Sequence, residues 1–492
     1  LYICGVTPYD TTHLGHAFTY ASFDVLIRYL EYQGYSVRYV QNVTDIDDDI
    51  LRKAGEVGDD WRALGDRWTA HFIRDMQSLN VRPPDFFPRA TEVVTDIVDA
   101  VQRLLEEGVA YESGGNVYYH IDAWPQYGEL SRIPRTEMLP IANERGNFPD
   151  DANKKDPLDF VLWQAQKPGE PAWDSPWGPG RPGWHIECST MAGRFLGATI
   201  DFHGGGGDLI YPHHESEIAQ AEAATGQKPF VRFWFHTAMV YHEGEKMSKS
   251  LGNLVMIDEL LKTWSADGIR IYLGKHHYRA IWSHDDDELA HAEKAAETIR
   301  AAVMVPGGAG TPMDPAEAKT AFLAAMDDDL NAPQALAVLE DMAEQVLEAA
   351  EARRNVEEAQ RTIRELAQIF GLRLDRSEPE ERDPGQLPTA TGAPGQVDGH
   401  LDRADQLRVD RRRSHARQRS QGLEARHHVH AGVGVQRAAP TLVPGVQRSQ
   451  ELPDLRPPHL PHDHAVGPHP QGLPDERGER DLPTPLDVAI TP

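Results

Sequence analysis

Leu1-Tyr2-Ile3-Cys4-Gly5-Val6-Thr7-Pro8-Tyr9-Asp10-Thr11-Thr12-His13-Leu14-Gly15-His16 is the stretch whose reading decides the fold. Residues 1–5 read as a buried strand, and Leu14 to Tyr32 as a helix. Ser36 to Val43 alternates and is rich in β-branched and aromatic residues, which predicts a second strand. Strand, helix and strand within about 45 residues make a βαβ unit, and such a crossover implies a parallel sheet. The fold class expected is therefore α/β. Because the chain opens directly inside an apolar run, its native start is expected upstream of Leu1.

Working outward, helical patterns follow at Trp61–Leu79 and Ala90–Glu107, and Asn116–His120 reads as a short strand. Residues 121–182 are richer in Pro, Gly and Trp and predict an inserted connecting segment, about 85–182 in all. A second α/β half runs from about 183 to 250, so the catalytic domain is expected over 1–255. Helical segments are predicted at 256–303, 315–348 and 352–371, giving a helical region at 256–303 and another at 312–373. After Phe370 the chain has no Phe, Tyr, Trp or Lys and is rich in Arg, His, Pro, Gly and Gln. Such a segment cannot offset its ordering entropy. Residues 374–492 are expected to be a low-order tail, either disordered or translated in a shifted frame, with no function assigned.

Acidic residues outnumber basic ones 77 to 49 in 492 residues, a net charge of −28, which argues against a protein that coats nucleic acid through bulk charge. A local basic patch stays compatible with that balance. Two cysteines, Cys4 and Cys188, cannot form a disulfide framework for a chain this long and predict a reduced, cytoplasmic protein. No apolar run reaches the roughly 18 residues of a membrane span, and no signal peptide is evident.

Three constellations carry chemistry. His13-Leu14-Gly15-His16 sits where a strand gives way to a helix, a place that presents backbone N–H groups and the helix dipole to a phosphate. Two histidines three apart share one helical face, and Gly15 leaves room for a base or ribose. Lys246-Met247-Ser248-Lys249-Ser250 puts two lysines three apart in a Ser- and Gly-rich loop, where they can clamp phosphates as point charges. Cys188 closes Gly183-Trp184-His185-Ile186-Glu187-Cys188, and Pro212-His213-His214-Glu215-Ser216-Glu217 follows. Pro212 suits a first helical turn, so His213 and Glu217 share a face at i, i+4. With Cys4 these give two thiolates, an imidazole and a carboxylate, a set that suits zinc. On this reading alone, two distant cysteines better suit a structural or incidental role.

The first two motifs together resemble the HIGH and KMSKS signatures of class I aminoacyl-tRNA synthetases, with Leu14 in place of Ile. The chain resembles the cysteinyl-tRNA synthetases over roughly 1–300, and more weakly to about 373. Asn42-Val43-Thr44-Asp45-Ile46-Asp47-Asp48, Asp156-Pro157-Leu158-Asp159-Phe160, Trp173-Asp174-Ser175-Pro176-Trp177-Gly178 and His203-Gly204-Gly205-Gly206-Gly207-Asp208-Leu209 also match. The resemblance implies a Rossmann-like sheet of the HIGH/KMSKS nucleotidyl-transferase type, with 256–303 as a stem-contact region. It also implies ATP with Mg²⁺, cysteinyl-AMP formation and transfer to tRNA(Cys). His13, His16, Lys246 and Lys249 would be catalytic. Gly5, Thr7, Gly15, Gly204, Gly205, Gly206 and Asp208 would lie near the adenylate, and Thr44 and Trp184 would line the cysteine pocket. One Zn²⁺ would be held by residues matching Cys4, Cys188, His213 and Glu217. Four protein ligands close a tetrahedral site, so the ion would expand to five-coordinate or hold Glu217 loosely. A monomer is expected.

Mycothiol ligase, which joins cysteine to the amine of glucosaminyl-inositol, is similar too. Thr7-Pro8-Tyr9-Asp10, Glu144-Arg145-Gly146-Asn147 and Asn253-Leu254-Val255 lean that way. Glu217-Ile218-Ala219-Gln220, Gly244-Glu245-Lys246 and Met326-Asp327-Asp328-Asp329-Leu330-Asn331 lean toward the tRNA enzymes. The expected acceptor is tRNA, with glucosaminyl-inositol as the alternative. The intact motifs argue against a non-catalytic paralogue.

Overall fold

Side chains of a strand point alternately to its two faces, and β1 (Tyr2–Val6) uses that alternation to join two cores. Leu1, Ile3 and Val6 enter one hydrophobic cluster, while Tyr2 and Cys4 enter another. The computed structural model describes residues 1–10, 12–247 and 252–374 and the backbone of Gln436–Arg437. The expectation for the tail otherwise lies outside the described residues, as does Lys249.

After β1 comes α1 (Leu14–Tyr32), with the bounds read from sequence, and then β2 (Val40–Val43), parallel to β1 with Val40 opposite Tyr2. The strand expected from Ser36 begins only at Val40; Ser36 and Arg38 are exposed, and Val37 packs only partly on the core. Next are α2 (Asp48–Val57), α3 (Trp61–Ser78) and α4 (Val94–Glu106). A 3₁₀ turn at Ala90–Glu92 precedes α4 and delays the helix expected from Ala90.

The Pro-, Gly- and Trp-rich stretch holds more regular structure than its composition suggests. β3 (Ala110–Ser113), β4 (Asn116–Tyr119), α5 (Arg135–Asn143), β5 (Phe160–Ala165) and β6 (Gly180–Pro182) follow in order, and the strands pair antiparallel as β3-β4-β5-β6. Tyr119, Phe160 and Trp163 pack into the same cluster as Tyr2 and Cys4, which docks this sheet on the parallel one.

The second half supplies α6 (Trp184–Leu196), β7 (Ile200–Gly206), α7 (Glu215–Thr225) and β8 (Val231–Thr237). It completes a parallel sheet of order β2-β1-β7-β8, in which Tyr2 faces His203 and His203 faces Trp234. β9 (Val240–His242) and β10 (Glu245–Lys246) lead to α8 (Ile257–Leu260), α9 (Ala266–Gly274) and β11 (Trp282–Ser283), and the three strands form a small sheet. Thus the helical run expected over 256–303 is interrupted before α10 (Asp286–Met304).

α11 (Ala316–Asp327), α12 (Ala332–Glu351) and α13 (Glu357–Ala367) complete the helical part. The break between α11 and α12 is enforced by positive φ at Asp329 (52°) and Leu330 (51°), conformations no helix continues through. β12 (Gln436–Arg437) pairs antiparallel with β8.

The first cluster ties α1 to the helices: Phe18, Leu26, Ile269, Tyr272, Leu336 and Phe370 are all buried there. A buried ion pair crosses it, Arg270 to Asp24 at 2.6 Å, and the Arg270 Nε donates to the Phe370 carbonyl at 2.7 Å. No described helix is long and apolar enough to cross a membrane.

Candidate active site

Strand parity puts Cys4 on the face of the sheet covered by α6 and α7. Cys188 on α6 lies 3.9 Å from the Cys4 sulfur, and Glu217 on α7 accepts from Cys4 at 3.6 Å. One helical turn before Glu217, His213 brings Nε2 to 3.1 Å from its Oε1, as the i, i+4 spacing requires. Cys4, Cys188, His213 and Glu217 are all buried, and their ligand atoms lie within 4.8 Å of one another. The four residues named from the sequence thus meet at one point. Trp184, one turn before Cys188, stacks on His213 with centroids 4.6 Å apart. Thr44 is buried at the end of β2, where Asn42 Nδ2 donates to its hydroxyl at 3.2 Å.

Burial dominates the electrostatics of this cluster. It pushes the Cys4 thiol and the Glu217 carboxyl well up, with hydrogen bonding to Cys188 adding to the rise at Cys4. It pushes His213 well down, so the imidazole is held neutral, the form that ligates a metal. A divalent ion taking these ligands would displace protons from the thiols and the carboxyl.

A second ring of histidines surrounds the four. His203 Nε2 contacts Glu217 Oε2 at 2.9 Å, His214 Nε2 lies 3.3 Å from the Cys4 sulfur, and His185 and His213 join Nδ1 atoms at 2.9 Å. His214 is in turn bonded to His236 at 2.7 Å. Cys4, His203, His214 and Glu217 form an overlapping second set of ligand atoms. Burial lowers His185, His203 and His236 to about 3 each. Sequence reasoning passed over His185, His203, His214 and His236 as site residues. The available signal was the density of histidines on either side of the glycine run, but their common orientation depends on strand register.

The glycine run follows from close packing. A Cβ on Gly204 would strike the Phe235 carbonyl on β8, and a Cβ on Gly205 would come within 2.8 Å of the Leu209 side chain. Gly206 and Asp208 lie at the end of β7, where the 3₁₀ turn Gly207–Leu209 begins. On the neighbouring strand, Gly5 N–H donates to Asn42 Oδ1 at 2.8 Å, and Thr7 follows just past β1. These residues converge at the C-terminal ends of parallel strands, where open α/β sheets bind ligands.

His13 caps α1: its Nδ1 accepts from the Gly15 amide at 3.1 Å, and its ring stacks on His16 at 3.8 Å. The Leu14 amide is taken by the Val255 carbonyl at 2.8 Å. Two of the amides expected to face a phosphate are therefore engaged within the protein. Hydrogen bonds Leu14–Val255 and Ile257–Thr12 also bind this turn to the segment after the lysine loop. Met247 is buried, and its methyl lies 3.8 Å from where a Gly15 Cβ would be. Met247 and the segment Val255–Ile257 thus lie against the first signature. Lys246 is on β10.

The arrangement is that of the class I aminoacyl-tRNA synthetases. Mycobacterium tuberculosis methionyl-tRNA synthetase, solved with methionyl-adenylate, superposes with a TM-score of 0.52 at 18% identity, covering 76% of this chain and 89% of that one. An Agrobacterium radiobacter LeuRS, solved with tRNA and LeuAMS, gives 0.55 at 12% identity over 79% and 87% of the two chains. Residues 1–294 match the tRNA synthetases class I (C) catalytic domain, and the chain belongs to that family. Residues 321–375 match the DALR domain. Cysteine–tRNA ligase of Thermococcus onnurineus is 47% identical over 68% of this chain and 73% of its own length. That of Dehalococcoides mccartyi is 44% identical over 77% and 82%. L-cysteine:1D-myo-inositol 2-amino-2-deoxy-alpha-D-glucopyranoside ligase of Thermomonospora curvata is 46% identical over 70% and 83%.

Proposed function

We propose that this chain activates L-cysteine with ATP to cysteinyl-AMP, releasing pyrophosphate, and transfers the cysteinyl group to tRNA(Cys). The observation that carries the acceptor is the DALR match at 321–375, on helices packed against α1 through one shared core. Residues 1–255 are read as the catalytic body with 85–182 inserted, 256–303 as the stem-contact region and 312–373 as the helical C-terminal region.

Cys4, Cys188, His213 and Glu217 fit a zinc ion by donor chemistry: two sulfurs, one neutral imidazole and one carboxylate, all buried. A zinc ion there would supply a soft centre that prefers the sulfur of cysteine to the oxygen of serine. Preference by size alone is worth only about 1–3 kcal/mol per small group. Trp184 and Thr44 are assigned to the cysteine pocket, and the stack on His213 fixes the indole. His13 and His16, with Lys246 and Lys249, are assigned to the triphosphate and to the charge that develops on the α-phosphate. Gly5, Thr7, Gly15, Gly204, Gly205, Gly206 and Asp208 are assigned to the adenylate. Cysteine-dependent ATP–pyrophosphate exchange tests activation, and charging of purified tRNA tests transfer. Exchange without tRNA charging would reject the acceptor.

A further inference from the structure

A cavity of about 700 Å³ lies between the β3–β6 sheet and the cysteine pocket, with Trp184, His185 and Pro212 in its wall. Four cations line it: Arg145, Lys154, Lys167 and Arg181. Three of them have acidic neighbours. Arg181 is paired with Asp48 and lies 3.3 Å from Glu170, and Lys167 is 4.0 Å from Asp48. Lys154 donates to Asn147 and feels Asp151, Asp159 and Asp156. Arg145 differs. It follows α5 and donates to the main-chain carbonyl of Asp208, across the mouth of the site, with no carboxylate of a described residue in ion-pairing range.

A guanidinium on a neutral carbonyl keeps its charge uncompensated. A phosphodiester is a better partner, since Arg binds phosphate through two parallel hydrogen bonds with full charge assistance. Arg145 stands where the connecting sheet meets the adenylate rim, so a strand entering the cavity toward Trp184 passes it.

We propose that Arg145 exchanges the Asp208 carbonyl for a phosphodiester near the 3′ end of the acceptor strand, and so docks that end over the adenylate. The proposal rests on tRNA being the acceptor. Its release of Asp208 also frees the turn after β7 when the acceptor arrives.

The test compares the full-length wild type with Arg145→Ala and Arg145→Lys, using purified tRNA and cysteine-dependent pyrophosphate exchange. Arg145→Ala should lower kcat/KM for tRNA by about 10- to 100-fold, mainly through KM, as expected for a lost charged hydrogen bond. The loss in transfer should exceed the loss in exchange at least tenfold. The plot of log kcat/KM against log salt should become shallower by about 0.7, one phosphate contact on a single strand. Arg145→Lys, which keeps the charge, should retain the wild-type slope and regain part of the rate. A wild-type slope in Arg145→Ala, or equal losses in exchange and transfer, would overturn the proposal while leaving the acceptor reading intact. A wild type that charges no tRNA would overturn both.

Discussion

At the scale of single residues, the proposed activity rests on where four buried side chains point. Cys4 faces α6 and α7 because strand parity sends it to the same side as Tyr2, before the register shifts between Ile3 and Val6. Cys188→Ser should therefore remove one of two thiolates and most of the metal. Elemental analysis should find about one zinc per wild-type chain and far less in the variant, and full occupancy in Cys188→Ser would reject the quartet. Lys249→Ala should slow adenylate formation much more than it weakens cysteine binding, because its charge acts on the transition state. Pre-steady-state measurement of adenylate formation checks this, and an unchanged rate constant takes Lys249 out of the reaction. Spacing alone paired only His213 with Glu217; Cys4 and Cys188 joined them through the resemblance to the cysteinyl-tRNA synthetases, because 184 residues separate the two cysteines in sequence. The outer histidines were not legible, since His203, His214 and His236 come together only through the β7–β8 register and the entry to α7.

At the scale of elements, α1 links the chemistry to the helical part. Its N-terminus carries His13 and His16, and its middle carries Asp24, a buried acceptor for Arg270, Arg28 and the Arg82 amide. Asp24→Ala should destabilise the fold by about 3–5 kcal/mol, since it leaves the Arg270 guanidinium buried without its carboxylate. Arg270→Met should cost less, because Arg28 still pairs with Asp24 at 2.8 Å. Urea denaturation midpoints check the order, and an Arg270→Met variant less stable than Asp24→Ala would contradict it. The bounds of α1 were readable because a strongly apolar face runs its whole length. The connecting sheet was less so: its strands are short, and Pro- and Gly-containing stretches separate β4 from β5 and β5 from β6. Their pairing partners lie far apart in sequence, as Tyr119 and Phe160 do.

At the scale of the whole molecule, a chain of net charge −28 must receive a polyanion. Transfer to tRNA should therefore fall steeply with salt, and pyrophosphate exchange should not. Truncation after residue 380 should leave exchange intact, because the motifs and both described cores lie before it and, among the described residues, Gln436–Arg437 alone pairs with the sheet from beyond that point, at the edge of β8. Loss of exchange in the truncated chain would show that the tail supports the catalytic body. The acceptor is the central claim, and exchange cannot address it, because both candidate acceptors are attacked by the same cysteinyl-AMP. The most direct measurement sets purified tRNA(Cys) beside glucosaminyl-inositol and follows AMP release and cysteine incorporation with the wild-type chain. The expected result is cysteinyl-tRNA formation with tRNA-stimulated AMP release and no response to the sugar. AMP release stimulated by glucosaminyl-inositol but not by tRNA would contradict it.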